Sequence, residues 1–350
     1  MLDVVVDSPA ADEVLVRTAA CGLCHTDLHL MTGDMPAPPS PVVLGHEASG
    51  VVETVGESVT DLVPGDHVVA CVSAFCGRCV ECGRGRTFLC ERRRALRRSP
   101  SEGFRLSRHG LLVDQFAGIG GFAEKMLVHR NALVKIAADF PLDTAALLGC
   151  AVLTGVGSVV HGAKVEVGST VAVIGIGGVG ASIVQGAAIA GASRIIAVDV
   201  HHERLELAAR LGATHAVNAS LVDPVASVKE LTDGGAENVF EAVGHAATIE
   251  EAIRMTRPGR NTYLVGVPSA KEPVPIPAAE MVLSGRGVQG LLMGSNHFPT
   301  DIPMLIDFAN NGRLKLDDLI GRRVRLEEIN VAYDDMKSGG VARSMLVFDP

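Results

Sequence analysis

Thr170-Val171-Ala172-Val173-Ile174-Gly175-Ile176-Gly177-Gly178-Val179-Gly180, continued by an apolar stretch into Arg194-Ile195-Ile196-Ala197-Val198-Asp199, decides the fold of the second half of this 350-residue chain. A β-branched run enters a glycine-rich turn, and a small-residue helical stretch leaves it. A second β-branched run then ends on an acid 19 residues after Gly180. A G-x-G-x-x-G alone is a weak signal in a chain with 39 glycines. Placed between a strand and a helix, with an acid closing the next strand, it is the dinucleotide-binding fingerprint in its required context. Gly175 permits the tight turn, Gly177 lets a pyrophosphate approach the backbone, and Gly180 lets helix and strand pack closely. Gly178 and Val179 open the helix whose free N–H groups would face the phosphates. Asp199 would accept hydrogen bonds from the adenosine ribose hydroxyls and repel a 2′-phosphate, which favours NAD over NADP.

From Val167 to Ser193 the chain carries no charge over 27 residues, a run long enough to be mistaken for a membrane span. Its seven glycines, and the strand Arg194–Asp199 directly after it, fit strand, turn, helix and second strand instead. No membrane partner is expected. The net charge is −9 and aromatics are 3% of the chain, with no Trp. Neither a phosphate-neutralising surface nor a base-stacking platform is therefore the default, and no nucleic-acid partner is expected. With 47% apolar and 20% charged residues the chain is globular, and 350 residues exceed one ordinary core, which predicts two domains. Met1-Leu2-Asp3 opens without the basic and apolar stretches of a secretory signal, so a cytoplasmic location is expected.

Further β-branched runs at His215–Asn218, Asn238–Ala242 and Thr262–Val267 alternate with helical patterns. That rhythm predicts a doubly wound parallel sheet with helices on both faces, an α/β domain. Upstream, an apolar helical stretch runs from about Asp143 to Gly162. The first 140 residues read differently. Short runs at Glu13–Arg17, Gly50–Val55, His67–Val72 and Leu133–Ile136, broken by Gly and Pro, predict a mostly β domain with long loops. Helical patterns at Ile302–Asn310 and Leu326–Lys337, and a strand at Ser344–Phe348, are expected to return to that first domain. The boundaries expected are 1–151 with a lobe at 76–98, then 152–292, then 293–350 back in the first domain.

Eight Cys are too few for a disulfide scaffold, yet Cys76, Cys79, Cys82 and Cys90 form a C-x2-C-x2-C-x7-C within fifteen residues. Four thiolates at that spacing suit a closed tetrahedral zinc site. A second set is scattered: Cys24 in Cys21-Gly22-Leu23-Cys24-His25-Thr26-Asp27, His46 in Gly45-His46-Glu47, and Cys150 at the head of the helical stretch. Two Cys and one His with a position left open is the composition of a catalytic zinc site. Taken singly each is a weak signal, since a lone Cys is usually a small core residue and a lone His usually a hydrogen-bonded structural one, and spacing alone does not bring them together. Cys21 and Cys71 fit neither set and read as core thiols.

These segments, with Gly149-Cys150 and Val265-Gly266-Val267-Pro268, closely resemble the zinc-dependent alcohol dehydrogenases of the medium-chain dehydrogenase/reductase family, from Glu13 to Phe348. The resemblance implies a Rossmann coenzyme domain and a GroES-like catalytic domain carrying a zinc lobe. It implies two zinc ions per chain. One is held by Cys24, His46 and Cys150, with Glu47 an occasional ligand, and the other by the four-Cys lobe. By the same resemblance Asp27 orients His46, and Thr26 with His29 forms a proton relay. Arg343 pairs with the coenzyme pyrophosphate, Arg204 lies at the adenosine ribose, and His25, Thr154 and Val267 lie near the coenzyme. Val72 and Met293 match the substrate wall. The activity implied is reversible hydride transfer between a small-molecule primary or secondary alcohol and NAD, by a homodimer or homotetramer. Oxidation of a hydroxymethyl-thiol adduct is the alternative within that chemistry.

Two features depart from the family pattern. Family members usually carry an extra strand pair ahead of the segment matching Glu13, where this chain has only a dozen residues, so either the start is trimmed or the β domain has lost an edge. Between Arg84 and Arg98 there are seven Arg and one Glu. That basic run admits a reading of another class, a zinc module binding nucleic acid beside an NAD-sensing domain. It leaves Cys24, His46 and Cys150 without a purpose.

Overall fold

The computed structural model describes residues 3–98, 100–271, 273–338 and 343–349, and its chain separates into two compact units. One comprises Ala151–Ser295 and Phe308–Leu319; the other comprises Met1–Cys150, Asn296–Asp307 and Ile320–Pro350.

In the first of these, six strands form a parallel sheet: β1 (Thr170–Ile174), β2 (Arg194–Asp199), β3 (His215–Asn218), β4 (Ala236–Glu241), β5 (Thr256–Leu264) and β6 (Gly287–Gly290). Their order is β3-β2-β1-β4-β5-β6, so the strand order, though not the strand direction, reverses between β1 and β4. The long uncharged run resolves into β1 and the helix Gly178–Ala190. Among the described residues no single helix is long and apolar enough to cross a membrane. β1 is buried on both faces, which is why it reads as continuous Val-Ala-Val-Ile rather than alternating. Ile174, Ile196, Val198, Val217, Val239 and Met255 fill the core between sheet and helices. Burying each large apolar side chain contributes roughly 1.5–3 kcal/mol.

The tail is divided between the units. Residues 308–319, expected with the β domain, belong with the parallel sheet. Lys315 donates its N–H to Gln185 Oε1 at 2.6 Å and its Nζ to the Arg210 carbonyl at 2.7 Å, which ties the segment to two of the sheet's helices.

The other unit is built on a seven-stranded sheet. Its order is Arg322–Val324, Ser344–Val347, Glu13–Gly22, Glu47–Val55, His67–Ala70 and Leu133–Ile136, with Lys125–His129 also pairing to Glu13–Gly22. Val14, Val16, Val52, Val68, Met126, Val128 and Leu346 form its core. The residues ahead of Glu13 do supply an edge. Val5–Val6 pairs antiparallel with Leu106–Arg108 in a four-stranded sheet completed by Leu111–Gln115 and Val42–Val43. Behind it Glu13 is buried, taking Arg98 Nη2 and Arg105 Nε, each at 2.6 Å, while Asp7 takes Arg98 Nη1 at 2.6 Å. Part of the basic run is thus internal structure.

Candidate functional site

Strand register brings the scattered Cys and His together. Gly22 stands opposite Glu47, so Cys24, just beyond one strand, meets His46, just before the other. Ala48 stands opposite Ala70, and the turn Leu147–Gly149 lies so close to the Ala70 carbonyl that a Cβ on Gly149 has no room. Cys150 is thereby delivered to the same end of the sheet. The three donor groups are buried and lie within 4.8 Å of one another, with Cys150 Sγ 3.3 Å from His46 Nε2. Donors on a tetrahedral zinc, at about 2.3 Å for S and 2.0–2.1 Å for N, stand about 3.6 Å apart. The set fits zinc in type and in spacing.

Mutual charge tunes these groups. The Cys150 thiol beside it holds Cys24 well below the ordinary thiol range, against burial, and Cys150 is raised in return. Burial alone would lower His46, but Asp27 and Cys24 outweigh it and raise its pKa well above the usual value. Asp27 Oδ1 accepts from the Gly45 N–H at 2.9 Å. Its Oδ2 lies 3.1 Å from His46 Nδ1, although the angle leaves both atoms short of a hydrogen bond. The Phe116 ring meets the His46 ring edge-on at 5.2 Å.

The remaining predicted residues of this unit are placed as follows. Glu47 stands outside the donor set. It is fully buried against Arg343, whose Nε lies 3.3 Å from Glu47 Oε1 and whose Nη2 bonds Oε2. The arginine expected at a pyrophosphate is thus engaged with the carboxylate expected at zinc. Burial lifts Glu47 to about 7 while Arg343 opposes that rise. His25, Thr26, Asp27 and His29 belong to the helix His25–Thr32. Cys24 Sγ donates to Thr26 Oγ1 at 3.5 Å, His29 Nδ1 lies 3.8 Å from Asp34 Oδ2, and His25 is exposed. No hydrogen bond joins Thr26 to His29 among the described residues.

In the lobe, Cys79 Sγ lies 3.4 Å from Cys82 Sγ and 4.0 Å from Cys90 Sγ, and Cys76 and Cys82 sulfurs are 4.0 Å apart. Four sulfurs about 2.3 Å from one centre would stand about 3.8 Å apart. Backbone donors aim at the sulfurs, as the Cys76 N–H does at Cys90 Sγ (3.2 Å), and the Cys82 N–H leads in lowering Cys79 to about 6. All eight cysteines are free, with Cys21 and Cys71 wholly buried, as core thiols should be. Arg93 staples the lobe, donating to the Ala74 and Phe88 carbonyls at 3.0 and 2.8 Å, and Arg84 and Arg86 pair with Glu81.

In the parallel-sheet unit the fingerprint turn leaves β1 with Gly175 at φ +86°, and a Cβ on Gly180 would collide with the Gly175 carbonyl. Gly177 is different. Its φ of −79° is open to any residue, and nothing lies within 4 Å of where its Cβ would stand. Neither backbone nor packing requires glycine there, whereas a phosphate group lying on the loop would. Asp199, 6% exposed, closes β2, with Oδ2 accepting from Ile176 N–H at 2.7 Å and Oδ1 from His201 N–H at 2.9 Å. Arg204 Nη1 is 3.7 Å from Asp199 Oδ2. Thr154 Oγ1 donates to Met293 Sδ at 3.6 Å, and Met293 holds a left-handed backbone (φ +50°). Val267 is 48% exposed at the carboxyl edge of the sheet. Sequence reasoning missed Glu241, a buried carboxylate ending β4. Its signal was an acid closing an apolar strand, the same signal that found Asp199.

Comparison with known proteins agrees with this geometry. Residues 10–138 match the alcohol dehydrogenase GroES-like domain and residues 178–311 the zinc-binding dehydrogenase domain. The chain is 37% identical over 359 residues to alcohol dehydrogenase class-3 of Oryza sativa subsp. japonica, covering 99% of this chain and 93% of that one. It is 38% identical over 347 residues to the NDMA-dependent alcohol dehydrogenase of Amycolatopsis methanolica, covering 97% and 93%. Benzyl alcohol dehydrogenase from Acinetobacter calcoaceticus superposes with a TM-score of 0.91 at 35% identity, covering 99% and 94%. A likeness that runs the length of both chains settles the family: this enzyme belongs to the zinc-binding alcohol dehydrogenases of the medium-chain dehydrogenase/reductase family.

Proposed function

We propose that the protein catalyses reversible oxidation of a primary or secondary alcohol to an aldehyde or ketone with NAD, as a cytoplasmic homodimer or homotetramer. The observation that carries this reading is the buried Cys24–His46–Cys150 donor set, backed by Asp27 and flanked by Thr26. Cys24 Sγ, His46 Nε2 and Cys150 Sγ would hold a zinc ion, which when bound acts as a Lewis acid that lowers the pKa of the alcohol. Asp27 keeps His46 turned with Nε2 toward the cysteines, because its own Oδ1 is anchored on Gly45. Thr26 Oγ1, half-buried beside Cys24, is suited to receive the hydroxyl proton, and His29, partly exposed on the same helix, to pass it to solvent. Arg343 compensates the charge of Glu47, so that Asp27 and Cys24 are the groups whose negative charge acts on His46.

Cys76, Cys79, Cys82 and Cys90 would bind a second zinc that holds the lobe together. The fingerprint turn and Asp199 support binding of a dinucleotide and, through the carboxylate, NAD over NADP. The likeness to benzyl alcohol dehydrogenase supports an apolar, aromatic alcohol as the first substrate to try. A panel of benzyl, short aliphatic and secondary alcohols, each offered with NAD and with NADP to zinc-loaded protein, tests the reading by coenzyme reduction. Turnover of aromatic alcohols with NAD is expected. Absence of reduction with every alcohol and both coenzymes would overturn it.

A further inference from the structure

We propose that Glu241 is a positioning residue for the nicotinamide half of the coenzyme, acting through the Val243–Gly244 turn that its carboxylate holds. This rests on the dinucleotide reading above. Glu241 is the last residue of β4, in register with Ile174, the last of β1. The β1–β4 boundary is where strand order reverses, and dinucleotides lie across such a reversal beyond the carboxyl ends of the strands. Asp199 at the end of β2 assigns that side to the adenosine half. The other half must then lie over β4 and β5.

Two turns meet there, Val243–Gly244 after β4 and Val265–Gly266–Val267 after β5. Their backbones are nearly in contact: a Cβ on Gly244 would stand 2.6 Å from the Val267 carbonyl oxygen, and one on Gly266 would stand 2.8 Å from the Val243 carbonyl carbon. Val243 and Val267 remain 40% and 48% exposed, an apolar pair at the sheet's carboxyl edge suited to a flat, weakly polar ring.

Glu241 brackets both turns. Its Oε1 accepts from Val243 N–H at 2.9 Å, Gly244 N–H at 2.8 Å and Thr248 Oγ1 at 2.8 Å. Its backbone carbonyl accepts from Val265 and Gly266 N–H groups, both at 2.9 Å. The side chain is 0% exposed and Oε2 has no partner among the described residues, an arrangement that carries a desolvation penalty. A residue kept only for packing would not carry it. One kept to aim two backbone turns at a ligand would.

The test uses the zinc-loaded full chain and two ligands, NADH and ADP-ribose, which shares the adenosine half but lacks the nicotinamide ring. Glu241→Ala keeps the backbone carbonyl on Val265 and Gly266 but removes the carboxylate that holds the Val243–Gly244 turn, and should raise the Kd for NADH about tenfold or more, leaving that for ADP-ribose within about threefold. Glu241→Gln keeps an oxygen for the same three donors and should stay within about threefold of the unmodified protein for both ligands. If Glu241→Ala does not fold, Thr248→Val, which removes one donor, should raise only the NADH Kd, by about three- to tenfold. A purely structural role moves both ligands together or neither, and either result overturns the proposal. Failure of the unmodified protein to bind either ligand would instead overturn the dinucleotide reading, and this proposal with it.

Discussion

Arg343 Nε meets Glu47 Oε1 at 3.3 Å, with Arg343 5% and Glu47 0% exposed, so an ion pair between residues 296 apart in sequence is sealed beside His46. Breaking such a pair from one side strands a buried charge, which costs about 3–5 kcal/mol, whereas removing both charges is often nearly neutral. Arg343→Leu should therefore destabilise the protein by that amount, and Arg343→Leu with Glu47→Leu should recover most of it. Denaturant unfolding of the zinc-loaded variants measures both. Equal losses in the single and double variants would show that the pair is not what Arg343 contributes.

The two donor sets predict separable metal roles. The unmodified protein should hold two zinc ions per chain. His46→Ala should retain the lobe zinc and the fold while losing activity, and Cys82→Ser should lose the lobe zinc together with solubility. Metal analysis by mass spectrometry, paired with circular dichroism, distinguishes them. One zinc per chain in fully active protein would refute the division.

Asp199 does two jobs with one carboxylate. Oδ2 accepts from the Ile176 N–H inside the fingerprint turn, and under the proposed preference for NAD its charge would exclude a 2′-phosphate. Asp199→Asn preserves an acceptor but not the charge, so it should weaken NAD use by roughly tenfold and relax the exclusion of NADP. Asp199→Gly loses both and should weaken NAD further. The ratio of kcat/KM for the two coenzymes reports it, and an NADP preference in the unmodified protein would sink the assignment.

What the sequence disclosed was whatever is local. β1, β2 and β3 lie where their β-branched runs predict, because each strand's apolar character, the glycine turn and the closing acid fall within some thirty residues. The six-stranded sheet was only partly visible. β6 is Gly-Val-Gln-Gly, with no β-branched run to announce it, and pairing to β5 alone makes it a strand. The stretch read as one helix from Asp143 to Gly162 breaks at Cys150 (φ −144°, ψ −78°), where the chain must bend to press Gly149 onto Ala70. Cys24, His46 and Cys150 were found through family likeness, since only strand register makes them neighbours. Contacts between residues far apart in sequence, such as Glu47 with Arg343 and Glu13 with Arg98, left no local trace.

Glu241 also predicts a pH dependence of stability. Burial raises its pKa above the ordinary glutamate value, so the folded state binds the proton more tightly than the unfolded chain does. Its contribution is fully present below the unfolded value of about 4.3 and is lost as pH rises toward the folded value. Stability of the unmodified protein should thus fall across that window with a slope that Glu241→Gln removes. Denaturation midpoints at closely spaced pH values measure the difference, and parallel curves for the two proteins would contradict it.

His29 is expected to be the solvent end of the proton relay. Thr26 and His29 stand three residues apart on the helix His25–Thr32, a spacing that puts both on one face. Thr26 Oγ1 lies beside the donor set at 3.5 Å from Cys24 Sγ, while His29 is partly exposed, with Nδ1 3.8 Å from Asp34 Oδ2. No direct hydrogen bond joins the pair, so an intervening group such as a water would have to complete the chain between them. An outer member of such a relay is more easily replaced by water than an inner one. General acid–base groups contribute about 10²–10⁴-fold. His29→Gln should then lower turnover by about a hundredfold or less, and Thr26→Ala by more, because Thr26 carries a hydroxyl in contact with the donor set. Neither change removes a cysteine or His46, although Thr26→Ala gives up the 3.5 Å contact with Cys24 Sγ, so zinc content should be unaltered in both. The decisive readout is the pH–rate profile, which a loop-packing role for His29 would leave unmoved. If His29→Gln keeps its zinc and stability and shows unchanged turnover at every pH, His29 is a structural residue.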